Sequence, residues 1–357
     1  MKIGKFELGI MDLLFVFVPI SLLLSYNGYN NSTILFVVSL LGILPLASKM
    51  GYATEELSKI YGGQVGGLLN ATFGNAAELI IAIIAINRGL EELVKASLSG
   101  SIIGNLLFVL GLSMFAGGLK NKEQKFSPNL AGLNSTMLLI AFMSIMIPSM
   151  FHFVPVEHRG NDEQTLSTIV SILLIGIYIL SMVFSLKTHQ YLFNDKEEGK
   201  KEKPKWSRNF SIIVLLSCTV ALALVSEVFV GQIETVAHQF GLTELFIGAV
   251  IVAVVGNAAE HMSAIMFALK NDIELSINVT VGSSLQIALF VAPLCVLIAG
   301  FIGKSMDLVF TPFEVVAVFG SVIVVNEISS DGRCNWFEGA QLVVMYLIIA
   351  ALFFFVR

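Results

Sequence analysis

Two glutamates stand in the sequence where carboxylates are costly. Glu78 and Glu260 each close the pentapeptide Gly-Asn-Ala-Ala-Glu inside a long apolar run, LLNATFGNAAELIIAIIAI and VIVAVVGNAAEHMSAIMFAL. A carboxylate at bilayer depth costs a few kcal/mol at least, so it faces a cavity or a partner. Asn75 and Glu78 are spaced i, i+3, as are Asn257 and Glu260, so each amide shares a helix face with its acid. Gly74 and Gly256, four residues before each acid, let the backbone open and their carbonyls turn inward. The next apolar stretch of each region carries Ser101 and Ser283, then Asn105 and Gln286. A buried amide has four hydrogen-bonding demands, which apolar neighbours cannot meet. Every candidate ligand is an oxygen, the choice of hard divalent cations, and Ca²⁺ takes about 6–8 of them in adaptable geometry. Mg²⁺ gives up its water reluctantly. Mn²⁺ stays open, and no Cys/His cluster invites Zn²⁺ or Cu⁺. Two carboxylates carry a charge that one divalent cation or two protons would cancel, and leaving both ionised in low dielectric is costly. The residues therefore predict a site that trades a divalent cation for protons. His261, next to Glu260, either tunes proton release or packs. Glu227, late in another apolar run, is either a vestibule ligand or proton relay or an interfacial carboxylate. Glu55 and Glu56 read as a solvated helix end beside Lys59.

The elements that hold these residues follow from composition. The chain has 357 residues, 56% hydrophobic and 13% charged. With glycine counted and tyrosine left out the apolar share is about 62%, against roughly 45–50% in soluble domains. This excludes an ordinary soluble enzyme, a disordered chain and a basic nucleic-acid binder. Strict alternation over strand lengths is absent, which disfavours a β-barrel. The three cysteines show no paired spacing. Apolar runs predict eleven spans, at about 10–26, 33–56, 65–87, 94–118, 130–151, 165–187, 209–231, 243–269, 275–302, 309–326 and 337–356. With the N-terminus in the cytoplasm, 16 Lys and Arg residues fall inside and 5 outside, which supports that topology.

An internal repeat organises the spans. Residues 74–109 and 256–291 align without a gap at an offset of 182, with 14 of 36 positions identical. The expected units are an extra N-terminal helix (1–32), a five-helix repeat (33–187), a cytoplasmic linker (188–208) and a second five-helix repeat (209–357). Five is odd, so the second copy enters the membrane inverted, and a site is expected near the midplane where the copies meet. The fold class is an all-α polytopic membrane protein of about eleven helices.

The paired GNAAE motifs, with GSIIGNLLFVLG (100–111) and GSSLQIALFVAP (282–293), resemble the Ca²⁺/H⁺ antiporter, or cation/proton exchanger, family of the cation/Ca²⁺ exchanger superfamily. The likeness runs from about residue 45 to 350. It implies an eleven-helix fold and a secondary active antiporter exporting Ca²⁺ against H⁺ entry. Its central acids fall on Glu78 and Glu260, and its supporting polar residues on Asn75, Asn257, Ser101, Ser283 and Gln286, with Asn105 at the first-copy amide position. It also makes the extra helix 10–26 and its symmetry mate candidates for sliding. Na⁺/Ca²⁺ exchangers, the near relatives, typically carry Thr or Ser after the motif glycine, Pro before the acid, and a further acid near Gln286–Ile287; here stand Asn, Ala and no acid. The acidic helix common in the family's central linker is reduced to Asp195, Glu197, Glu198 and Glu202 among more lysines.

Exchange for Na⁺ or another cation is the second reading, and a passive cation channel the third. YD with GxGD, HExxH and a P-loop are absent, so no enzyme is expected. Ca²⁺ is expected as transported substrate, with no cofactor. The partners are Ca²⁺, H⁺ and the lipid bilayer, without nucleic acid; association into a homo-oligomer is open. Short termini without an organelle signal predict a multi-pass protein of the cell (plasma) membrane.

Overall fold

The computed structural model describes residues 2–3, 6–7, 10–155, 159–189 and 203–356. Residues 190–202 of the predicted linker, with its acidic residues, lie outside the described residues. Helical tracts fill the eleven predicted apolar segments. We number them α1 (Ile10–Leu14, then Phe17–Tyr26), α2 (Ser32–Tyr61), α3 (Gly63–Phe73, then Ala76–Asn87) and α4 (Glu91–Lys120). There follow α5 (Pro128–Phe151), α6 (Arg159–Val183, extended to Thr188) and α7 (Arg208–Val230). The last four are α8 (Glu244–Gly256, then Ala258–Leu269), α9 (Ile273–Phe301), α10 (Pro312–Ile328) and α11 (Trp336–Phe355). Among the described residues seven helices are long and apolar enough to cross a membrane, or eight with the bent α8 counted as one span. The remaining tracts are short or broken, which an apolar run in the sequence cannot reveal.

Local chemistry sets the helix ends. Asn31, Ser207, Thr243 and Asp272 each accept a backbone N–H from the following first turn. Thr311 with Glu314, and Asn335 with Glu338, close full capping boxes at the starts of α10 and α11. Large apolar side chains remain exposed on the outer faces, among them Leu173 on α6, Leu216 on α7, Val316 on α10 and Ile348 on α11. Hydrocarbon, not water, suits such a surface. The most deeply buried side chains include Ile43 of α2, Leu107 and Leu110 of α4, Phe229 of α7 and Ile287 of α9.

The two halves carry matching irregularities. α3 and α8 break at the same motif residue: Asn75 has φ −98°, ψ 22°, and Asn257 has φ −95°, ψ 10°. α8 bends by 63° there. α4 and α9 each widen into a π-helical turn, Gly104–Val109 and Ile287–Val291, again about 182 residues apart. Such turns concentrate at functional sites. In α9 the turn runs into Pro293, which has no N–H for the ladder. In α4 the matching residue is Gly111, where a Cβ would stand 2.9 Å from the Gly339 carbonyl, so glycine admits α11. The packing is matched as well: α2 lies on α7, α5 on α10, α4 on α11 and α9 on α6.

Glu56 corrects one expectation. Its side chain is wholly buried, not solvated, and accepts the backbone N–H groups of Lys205 and Trp206, with Lys59 beside it. The chain entering α7 is thereby tied to the end of α2. Glu55 matches expectation, exposed and paired with Lys59 at 2.7 Å.

Candidate functional site

The helix breaks bring the two motifs together. Because α3 and α8 stop and restart at Asn75 and Asn257, each acid lies in the first turn of a new helix. Glu78 lies against Gly256: a Cβ there would stand 2.9 Å from its Cγ and 3.3 Å from its Cδ. Glycine at the break thus makes room for the opposite carboxylate. Glu78 is 6% exposed, Glu260 is partly buried, and the two are close enough to act on one another electrostatically.

A polar network surrounds them, tied across the two halves. Asn75 donates to the side-chain carbonyl of Gln286. Asn257 donates to the Ser101 hydroxyl at 2.9 Å and to the Ala253 carbonyl at 2.9 Å. Asn105 donates to Ser283 at 3.0 Å, and Ser283 donates to Asn257 Oδ1 at 3.4 Å. Ser283 also lies near the Glu260 carboxylate. The Nε2 of buried His261 lies 3.2 Å from Asn105 Oδ1. With every amide engaged, these side chains are held in place in an apolar surround.

The acids themselves are under-satisfied. Both oxygens of Glu78, Oε2 of Glu260 and Oδ1 of Asn75 are buried without a hydrogen-bond partner. Four acceptors at one place, none with a donor, call for a positive group. Among the described residues no cluster of three or more His, Cys, Asp or Glu could hold a metal.

The structure thus gathers Asn75, Glu78, Ser101, Asn105, Asn257, Glu260, His261, Ser283 and Gln286, with Gly74 and Gly256 at the breaks. It does not bring Glu227 to them. That carboxylate is exposed at the end of α7 and ion-paired with Arg88, which follows α3. The sequence did not flag Tyr178 and Tyr346, whose buried hydroxyls also lack partners.

Comparison with known proteins agrees with this architecture. The model of the sodium/calcium exchanger protein family matches residues 31–187 and 210–355. A Ca²⁺/H⁺ antiporter of Synechocystis sp. is 44% identical over 96% of this chain and 96% of its own length. The Ca²⁺/H⁺ antiporter ChaA of Bacillus subtilis is 46% identical over 94% of this chain and 96% of its own. The solved structure of native YfkE superimposes with a TM-score of 0.85 at 43% identity, covering 98% of this chain and 100% of that one. The structure of the H⁺/Ca²⁺ exchanger CAX, at 15% identity and a TM-score of 0.71, shares the fold over 96% of this chain and 91% of that one. Matched over nearly its whole length, this multi-pass chain belongs to the Ca²⁺/H⁺ antiporter (cation/proton exchanger) family within the sodium/calcium exchanger group.

Proposed function

We propose that the protein is a secondary active antiporter that exchanges Ca²⁺ for H⁺ by alternating access, with Glu78 and Glu260 carrying Ca²⁺ or protons in turn. One observation carries this reading: three buried carboxylate oxygens of the two acids, with Asn75 Oδ1, have no donor. Ca²⁺ would draw on these oxygens; protonation would neutralise the same carboxylates and remove their hold on the cation. Each load excludes the other, which is the coupling an exchanger needs. Asn75, Asn257, Ser101, Ser283, Asn105 and Gln286 hold the acids in register, and His261 acts on proton release through Asn105. The Gly74 and Gly256 carbonyls add ligands at the breaks.

We take residues 33–187 and 209–357 as the two inverted copies, 188–208 as the linker and 1–32 as the extra helix. The protein sits in the cell membrane with its N-terminus in the cytoplasm, the orientation that gathers lysines and arginines inside. The test is flux into vesicles of purified protein. An imposed pH gradient alone should drive Ca²⁺ uptake uphill, and Glu78→Gln or Glu260→Gln should abolish it. Full exchange in both variants would sink the proposal. Uptake driven by a Na⁺ gradient at constant pH would favour Na⁺ exchange, and flux that never runs uphill would favour a channel.

A further inference from the structure

Tyr178 and Tyr346 form a matched pair that the sequence offset hides. Tyr178 stacks on Phe290 with ring centroids 5.2 Å apart, and Tyr346 packs on Phe108 at 4.8 Å. The two phenylalanines sit in the two π-helical turns, 182 residues apart, while the tyrosines are 168 apart. Both hydroxyls are buried without a partner.

Their surroundings differ. Beside Tyr178 lies a cavity of about 220 Å³ between α5, α6 and α9, whose polar wall is Asn134, Ser181, Ser185 and Gln286. It runs from the ends of α5 and α6 near the linker to Gln286, which binds Asn75 of the acid site. At roughly 30 Å³ per water the space holds several molecules. The corresponding positions in the other half are apolar. Counting three and seven residues on from each tyrosine, Ser181 and Ser185 match Ile349 and Phe353. Gln286 matches Gly104 at the 182 offset, and Asn134 matches Val318 when both are counted from the proline that opens the helix. Ile349, Phe353 and Val318 are all buried.

We propose that the cavity is a hydrated route from the cytoplasmic end to the acid site, carried by Asn134, Ser181, Ser185 and Gln286, and that the mirror-related position is dry. The two directions of access are then chemically unequal despite the repeat. The inference rests on the exchange reading for its purpose but not for its test. An apolar cleft between α5 and α6, lined by Ile140, Ile177 and Leu180, adjoins the cavity, so a lipid tail is the rival occupant.

Cysteines at the route decide between them, since the native Cys218, Cys295 and Cys334 are buried. Ser181→Cys and Asn134→Cys should react with a charged, membrane-impermeant thiosulfonate at least about tenfold faster from the cytoplasmic face, and Ile349→Cys from neither face. Reaction only with an apolar, membrane-permeant maleimide would overturn the route. Labelling needs no transport, so a parent protein without Ca²⁺/H⁺ exchange would refute that reading and leave the route to be judged by labelling alone.

Discussion

Gly256→Ala is a sharp probe of the site because it adds one methyl group between the two motifs. The new Cβ would lie 2.9 Å from Glu78 Cγ and 3.3 Å from Cδ. Unstrained carbon atoms sit about 3.5–4.0 Å apart, so the Glu78 side chain must retreat by roughly 0.6–1 Å. The obstacle is a side chain and not backbone, so the fold persists. A retreat achieved by leaving the rotamer well costs about 0.5–1.5 kcal/mol. Ligand distances in a metal site tolerate only about 0.2 Å. At 1.4 kcal/mol per decade, the half-saturating Ca²⁺ concentration should rise by about two- to tenfold. The assay is pH-gradient-driven Ca²⁺ uptake into vesicles over a Ca²⁺ titration. Gly104→Ala is the control, since a Cβ there meets nothing within 4 Å although Asn105 is adjacent. If Gly256→Ala kept a half-saturation within about twofold of wild type, Glu78 would not be a ligand held in register by that contact.

Other outcomes follow from the same geometry. On the proposed exchange, Ca²⁺ displaces protons from the two acids, so acid should weaken binding. Half-saturation should rise as pH falls, by up to about two decades per pH unit, and calorimetry in buffers of different ionisation heat should count the protons released. Arg88→Ala and Glu227→Ala break an exposed pair and should each cost less than about 1 kcal/mol with uptake unchanged; lost uptake in Glu227→Ala would restore that acid as a relay. Gly339→Ala places a Cβ 2.3 Å from Phe115 N and 2.6 Å from the Gly111 carbonyl, so α4 and α11 must part; the thermal midpoint in detergent should fall, by at least about 1–3 kcal/mol of stability. Asn257→Ala leaves Ser101 and Ser283 short of a partner and should cost about 1–3 kcal/mol, seen in the same melt.

The sequence announced the site more fully than the helices that hold it. Glu78 and Glu260 were legible because a carboxylate in an apolar run is conspicuous, and the repeat because its central 36 residues have no gap. Ser101, Asn105, Ser283 and Gln286 were legible as polar interruptions of the next span. The breaks were half legible: glycines permitted them, but the matching turns at Asn75 and Asn257 and the 63° bend emerge only in space. Glu227 and Glu56 were misjudged or left undecided, and for one reason. Both sit near span ends, where hydropathy does not distinguish a residue facing water from one covered by another segment. Glu227 turned out exposed beside Arg88, and Glu56 covered by residues 205 and 206. Tyr178 and Tyr346 went unseen because loops of unequal length shift their offset, and a tyrosine in a membrane helix is unremarkable alone.

The sequence by itself determined the solvent of this protein, the duplication of its central core and which oxygen-bearing side chains interrupt its apolar spans. Those are properties of local identity, and hydrophobicity with fixed spacing records them. Tertiary structure decided the partnerships: Asn75 with Gln286, Asn257 with Ser101, Glu78 over Gly256. Each joins residues more than 150 positions apart. Such contacts depend on how helices rotate and cross, and an apolar stripe about 100° wide leaves that rotation undetermined.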